Sequence, residues 1–156
     1  MHAKNVDSLT LKNVQDMMLH DDVSASMKAT SDRLKRLHLM VITDTNEQHE
    51  NEQRLRMDCL RPLQTQLTHL TVFCDTYWGI WPFTDLRGIH FPHLVSLALG
   101  KWTIAHDWQI DWIISHGDTL QELVMEDVGI LYTMLMQQEM AQVNWPGMTL
   151  GSDYKR

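Results

Sequence analysis

The sequence contains few cysteines and no long apolar run. Cys59 and Cys74 are the only two among 156 residues, and no signal peptide is recognisable at the start. We therefore expect free thiols and an intracellular location, cytoplasmic or nuclear. No apolar stretch reaches the roughly 20 residues that a helix needs to cross a bilayer, so we expect no membrane-spanning segment.

Basic residues are also in short supply. Thirteen Lys and Arg residues stand against 20 Asp and Glu residues, which gives a formal net charge of −7. Proteins that bind nucleic acids or anionic membranes generally present a basic face, so we expect neither of these partners. The hydrophobic content of 44% is typical of a globular protein, and 156 residues suit one domain with its own core.

Recognisable catalytic and metal-binding motifs are missing as well. The sequence has no His-Glu-x-x-His motif, no glycine-rich phosphate loop and no Gly-x-Ser-x-Gly motif. A zinc site needs three or four convergent ligands, whereas His90 and His93 are three residues apart in a loop and His106 and His116 flank a predicted helix. We interpret the histidines as surface and loop residues, and expect no catalytic residue, no metal and no cofactor. The alternative is a small enzyme whose site is assembled from scattered residues.

What the sequence does contain is a recurring frame of the form apolar-x-x-apolar-x-apolar. The frame occurs five times, with starts separated by 28, 33, 27 and 26 residues. The five copies are Val6/Leu9/Leu11, Leu34/Leu37/Leu39, Leu67/Leu70/Val72, Leu94/Leu97/Leu99 and Leu120/Leu123/Met125. Because alternate residues of a strand share one face, the fourth and sixth positions of stacked strands would form one continuous core.

This frame predicts an α/β fold, namely an irregular leucine-rich-repeat-like solenoid in which short parallel strands alternate with helices. About five repeats would occupy residues 1–143, and residues 144–156 would form a flexible C-terminal tail. The alternative is an α/β domain in which the frame recurs by chance.

Three segments between or after the frames have helical patterns. Residues 44–63 begin with capping residues and place acidic residues early and basic residues late. Residues 107–117 begin with Asp107 as a cap candidate and end at Gly117. Residues 130–140 are the third segment.

The tryptophans fall into two groups. Trp108 and Trp112 are four residues apart on a predicted helix, so we expect them to face the core. Trp78 and Trp81 lie in a segment broken by glycine and proline, where exposed aromatic side chains can anchor a partner.

The stretch FPHLVSLALGKWTIAHDWQIDWIISHGDTLQELVMEDVGIL, residues 91–131, resembles the leucine-rich region of fungal F-box proteins. In that family a strand of the form L-x-x-L-x-L leads into an HDWQ-x-DWI helix, and a second such strand follows. The resemblance implies a horseshoe-like repeat domain that holds a target protein for a ubiquitin ligase.

The sequence departs from that family in two respects. The ninth position of the frame holds no Asn or Cys, so we expect irregular turns without a polar ladder. The F-box, which in the family binds the Skp adaptor of a cullin ubiquitin ligase, has no counterpart in the sequence. We therefore expect that the chain does not bind the Skp adaptor directly.

The outward face of the predicted sheet is the candidate binding surface. Positions three, five and seven of each frame point away from the core face. From these positions we select a candidate partner-binding face, which comprises Arg36, His38, Met40, His69, Thr71, Phe73, Glu122 and Glu126. Met40 and Phe73 are the expected anchors, because apolar and aromatic contacts dominate interface energies.

Together these features favour a non-catalytic protein-interaction scaffold that resembles the substrate-recognition part of F-box ubiquitin-ligase subunits. Its partner would be a target protein that the sequence does not identify. The alternatives are a truncated relative or gene fragment without an independent function, and the small enzyme described above.

Overall fold

Each copy of the frame leads into a β-strand. The computed structural model describes residues 6–15, 33–42, 57–80 and 83–131. The six strands are β1 Ser8–Gln15, β2 Arg36–Ile42, β3 His69–Trp78, β4 Ser96–Ile104, β5 Glu122–Glu126 and β6 Gly129–Ile130. Strands β1 to β5 lie side by side in chain order and pair in parallel, and the short β6 pairs with the end of β4.

The strands pair so that equal positions of the frame are neighbours. Leu37 pairs with Leu70, Leu70 with Leu97, and Leu97 with Leu123. One backbone contact sets this register at every step, because the carbonyl at position two accepts two N–H groups from the next frame. The accepting residues are Asp7, Lys35, Thr68 and Val95.

The predicted leucine-rich-repeat-like solenoid is nevertheless wrong, because helices do not alternate with the strands in the part of the chain that the structure describes. In the ranges that the structure describes there is one α-helix, α1 Asp107–Ile114, between β4 and β5, and one six-residue 3-10 helix, Asp58–Leu63, before β3. The described part of the connection from β3 to β4 consists of turns, irregular segments and two isolated β-bridges at Phe83. That connection contains glycine and proline residues, and both residue types disfavour a continuous helix.

The three segments predicted to be helical have different structures in the described residues. The segment from 107 forms α1, although its N-cap residue is His106 and Asp107 is the first residue inside the helix. Of the segment 44–63, the described end forms the 3-10 helix, which contains Pro62. Ile130, expected to begin a helix, belongs to β6. Residues 132–140 of that helix and the tail 144–156 lie outside the described residues.

The core lies on one face of the sheet. The fourth and sixth positions of the frames in β2, β3 and β4 are almost completely buried, as are the frame starts Leu34, Leu67 and Leu94. Each such buried leucine contributes about 1.5–3 kcal/mol of hydrophobic free energy. Turn and helix residues close the core, among them Met57, Leu60, Leu63, Leu86, Ile89, Phe91 and Trp112. Cys59 and Cys74 are buried in the same core and are not joined by a disulfide.

The fifth strand departs from the pattern. Leu123 and Met125 occupy core positions of the frame, yet they are 42% and 40% exposed. Among the described strands, β5 has β4 as its single neighbour in the sheet order, so it gains packing from one side only. The frame therefore predicts the register of this strand but not the burial of its side chains.

Among the aromatic residues, Trp78 differs most from its predicted position. It was expected in an exposed loop, but it ends β3 and is fully buried. Its indole packs on Trp102 with 5.7 Å between ring centroids, and its Nε1 donates to the Gly100 carbonyl oxygen at 2.7 Å. Trp81 lies outside the described residues. Trp112 is buried and Trp108 packs partly against the core, as expected.

Candidate functional site

The outward face of β1 to β5 carries the third, fifth and seventh positions of the frames. At the seventh position, Met40 pairs with Phe73, Phe73 with Gly100, and Gly100 with Glu126. Lys12 continues this row on β1, beside an irregularity in the β1–β2 register between Leu11 and Val14. We call this set the seventh-position row: Lys12, Met40, Phe73, Gly100 and Glu126.

A shallow depression of about 370 Å³ opens on this face over β2. Two residues from each of β1, β2 and β3 line it, and its surface is almost entirely apolar. The lining residues are Thr10, Lys12, His38, Met40, Thr71 and Phe73. His38 and Thr71 are joined inside it by a hydrogen bond of 2.9 Å between Nδ1 and Oγ1. That bond satisfies polar atoms within the depression and leaves an apolar surface for a partner.

The ring of Phe73 lies over Gly100 on β4, at the edge of this depression. A Cβ atom built on Gly100 would approach Phe73 Cδ2 to 2.0 Å, so the ring occupies the space that any other residue would fill. Lys101 stands beside the ring, with Nζ 6.0 Å from its centroid and donating to the Asp75 carbonyl oxygen at 2.7 Å. The partly exposed Phe73 ring, which we call the Phe73 knob, therefore lies over β4, next to the hollow over β2.

Charge on this face changes sign from one edge to the other. Lys12 lies on β1, and Arg36 on β2 forms an exposed ion pair with Asp7 at 3.3 Å. On β5, Glu126 is exposed, and Glu122 accepts a hydrogen bond of 2.6 Å from the Ser96 hydroxyl. Lys12 and the Arg36–Asp7 ion pair therefore lie at the β1–β2 side, Lys101 on β4 lies beside Phe73, and the Glu122 and Glu126 carboxylates lie at the β5 side.

The structure brings together half of the candidate partner-binding residues. His38, Met40, Thr71 and Phe73 line the depression directly. The third positions of the frames form a second row on the same face, the third-position row: Ser8, Arg36, His69, Ser96 and Glu122. Arg36 and His69 are paired neighbours in this row, and Glu122 is its last member, on β5. Glu126 ends the seventh-position row.

Two lining residues and one shaping residue were not among the candidates. Thr10 and Lys12 complete the depression, and the same count along the first frame places them on this face. The contribution of Gly100 has no counterpart in the frame, because the frame specifies which face a residue lies on and not the direction in which a neighbouring ring leans.

A second polar cluster lies on the core side, where α1 meets the turn before β4. His116, expected at the surface, is buried there, and its Nε2 accepts a hydrogen bond of 3.1 Å from the Phe91 N–H. Its Nδ1 lies 2.8 Å from the Trp112 carbonyl oxygen, to which the Ser115 hydroxyl also donates. Main-chain groups thus occupy both nitrogens of this imidazole, which gives it a structural role in closing the core.

Comparisons with protein-family models, curated proteins and solved structures found no match to the chain. Within residues 6–15, 33–42, 57–80 and 83–131, no three potential ligands among His, Cys, Asp and Glu are grouped to hold a metal ion. No helix in these ranges has the length and apolar character that crossing a membrane requires.

Proposed function

We propose that the chain is a non-catalytic protein-binding module that contacts its partner through the outward face of β1 to β4. The observation that carries this proposal is the pairing of the Phe73 knob with the adjacent apolar depression. Aromatic side chains next to apolar pockets supply most of the binding energy at protein interfaces. Met40, 37% exposed beside Phe73, adds a flexible apolar contact.

A ubiquitin-ligase context is a further part of this proposal. The support for it is the resemblance of residues 91–131 to fungal F-box proteins, in which the corresponding region holds a target. On this proposal the module presents a bound protein to a ligase.

Replacing Phe73 by Ala tests the proposed surface. We expect binding of the physiological partner to weaken about 30-fold or more, because truncation of a central aromatic anchor costs roughly 2 kcal/mol or more. Since Phe73 is only half-buried, the variant should fold. Ile114→Ala is the matched control, because Ile114 is 66% exposed on α1, outside the face.

A photo-crosslinking amino acid locates the partner directly. Replacing Phe73 by p-benzoylphenylalanine in native cells should give a crosslinked adduct, which mass spectrometry identifies. The same replacement at Ile114 serves as the off-face control. Equal adducts from both positions, or none from position 73, would exclude this face as the binding surface.

A further inference from the structure

The outward face is complementary to itself. Five strands are crossed by the seventh-position row, and β3 is the middle one. Lys12 on β1 and Glu126 on β5 are each two strand spacings from β3, on opposite sides, which is about 9–10 Å. A twofold axis parallel to the strands and above β3 would therefore place Lys12 of one copy opposite Glu126 of the other.

The shape of the face obeys the same symmetry. The Phe73 ring stands over β4, one strand spacing to one side of the axis, and the depression is centred over β2, one spacing to the other side. In a second copy turned by the axis, the ring would be above β2 of the first copy. Each knob would thus enter the hollow of the other copy, twice in one dimer.

Side-chain size follows the same rule across the sheet. At positions three, five and seven the residues of β2 are large and those of β4 are small, although Lys101 follows at position eight of β4; the axis places β2 of one copy over β4 of the other. The facing sets are Arg36, His38 and Met40 on β2, and Ser96, Ala98 and Gly100 on β4. In the third-position row Glu122 again lies on the β5 side, whereas the charge of Arg36 on β2 is offset by its ion pair with Asp7, so the charge complementarity rests on Lys12 and Glu126.

From these observations we infer that the partner of this face is a second copy of the chain, bound face to face about a twofold axis along β3. The inference rests on the proposed function, because it assigns an occupant to the same surface. Two sheets packed in this way lie about 10 Å apart, a gap that Lys and Glu side chains can bridge from opposite sides.

The expected dimer is weak and reversible. Five strands span about 19 Å, and the outward positions extend roughly 15 Å along each strand, so the dimer would bury on the order of 1,000 Å² in total. This area is below that of standard stable interfaces, so we expect a reversible dimer that forms only at high concentration of the chain.

Charge exchange provides the decisive experiment. Sedimentation equilibrium of the full chain over a wide range of concentration should show a monomer–dimer equilibrium. Lys12→Glu and Glu126→Lys should each weaken dimerisation at least tenfold, because each creates two like-charge contacts per dimer. An equimolar mixture of the two variants should recover dimers, since both contacts in the heterodimer then join Glu to Lys.

Two control variants carry the same changes in charge outside the face. Lys35→Glu and Asp118→Lys alter exposed positions that belong to neither row, and they should dimerise like the natural chain. Circular dichroism and thermal unfolding of all four variants establish that each is folded. A natural chain that stays monomeric at hundreds of micromolar, or a mixture that fails to recover dimers, would overturn the inference.

Photo-crosslinking at position 73 distinguishes two outcomes: the chain does not form the inferred dimer, or this face does not bind any protein. An adduct between two copies of the chain supports the inference. An adduct with a different protein in place of a second copy overturns the inference, while the proposed protein-binding face stands. If the chain is monomeric and position 73 forms no adduct, both are refuted.

Discussion

His116 makes the stability of the fold depend on pH. The Trp112 carbonyl can only accept a hydrogen bond, so the proton of the imidazole lies on Nδ1, at 2.8 Å. The Phe91 N–H can only donate, so Nε2 must be unprotonated to accept it at 3.1 Å. The folded chain therefore holds His116 as one neutral tautomer, and adding a proton breaks the bond to Phe91.

Burial lowers the pKa of His116 below its ordinary value of 6.5. The nearby His90, whose ring stacks on His116 with 4.7 Å between centroids, lowers it further, against the opposing effect of the hydrogen bond to Trp112. Between the lowered pKa and 6.5, the unfolded chain binds more protons than the folded chain. The contribution of His116 is therefore fully present above pH 6.5 and declines as pH falls below it, by at most about 1.4 kcal/mol per pH unit.

His116→Leu should remove this pH dependence at a cost in stability. The substitution leaves the buried Phe91 N–H without its acceptor, whereas the Trp112 carbonyl retains the Ser115 hydroxyl at 2.7 Å. Because one buried N–H is left without an acceptor, we expect the free energy of unfolding to fall by roughly 1–3 kcal/mol at pH 7.5. The loss should be smaller at pH 5, where the natural chain is itself destabilised.

Urea unfolding at pH 7.5, 6.5, 5.5 and 5.0 measures both effects. Burial and the charge of Arg87 also lower the pKa of His106, so His106→Asn, which keeps a residue suited to the N-cap, isolates the contribution of His116. If His116→Leu has the same slope of stability against pH as the natural chain, the argument from the neutral tautomer is refuted.

Three further substitutions test the packing at the end of β3 and in the connection that follows it. Trp78→Phe should destabilise the fold by about 2–3 kcal/mol in urea unfolding, because it removes the donor to Gly100 and leaves a cavity; a loss below about 0.5 kcal/mol would contradict this. Gly79→Ala should cost more than Gly88→Ala. Both glycines have positive φ, but a Cβ at Gly79 would approach the Thr103 carbonyl oxygen to 2.7 Å, whereas at Gly88 the nearest atom is 3.8 Å away. Gly88→Ala therefore carries only the backbone strain of about 1–2 kcal/mol, and equal losses for the two variants would contradict the predicted clash.

The strand register could be predicted from sequence because it depends on a local pattern. A period of two with leucine at fixed offsets decides which residues face inward, and equal offsets decide which residues pair. The connections could not be predicted in the same way. Whether a segment returns as a helix or as a series of turns depends on what it must cover, and the wide Trp78 and Phe91 side chains help to cover the core from turns and strand ends.

In three of the frames, the residue at position eight has a positive φ, which the frame pattern does not predict. Asn13, Lys101 and Asp127 all occupy position eight and have φ between 53° and 58°, in the left-handed region. Asparagine and aspartate tolerate this conformation, whereas lysine adopts it less often. At Lys101 the side chain is held by its bond to the Asp75 carbonyl oxygen, a contact 26 residues away along the chain. Such a compensating contact is a property of the folded state and has no local signal.

The shape of the candidate site also depends on a contact that has no local signal in the sequence, because one glycine determines the shape of the surface. The frame predicts that Phe73 faces outward, but a β-carbon at position 100 would exclude the ring from its place over β4. The ring would then have to rotate, and the space next to it on the other side is the depression over β2. Gly100 therefore keeps the knob on one side of β3 and the hollow open on the other. A self-complementary face requires both, so its existence depends on the pairing of Phe73 with Gly100 across two strands and not on either residue alone.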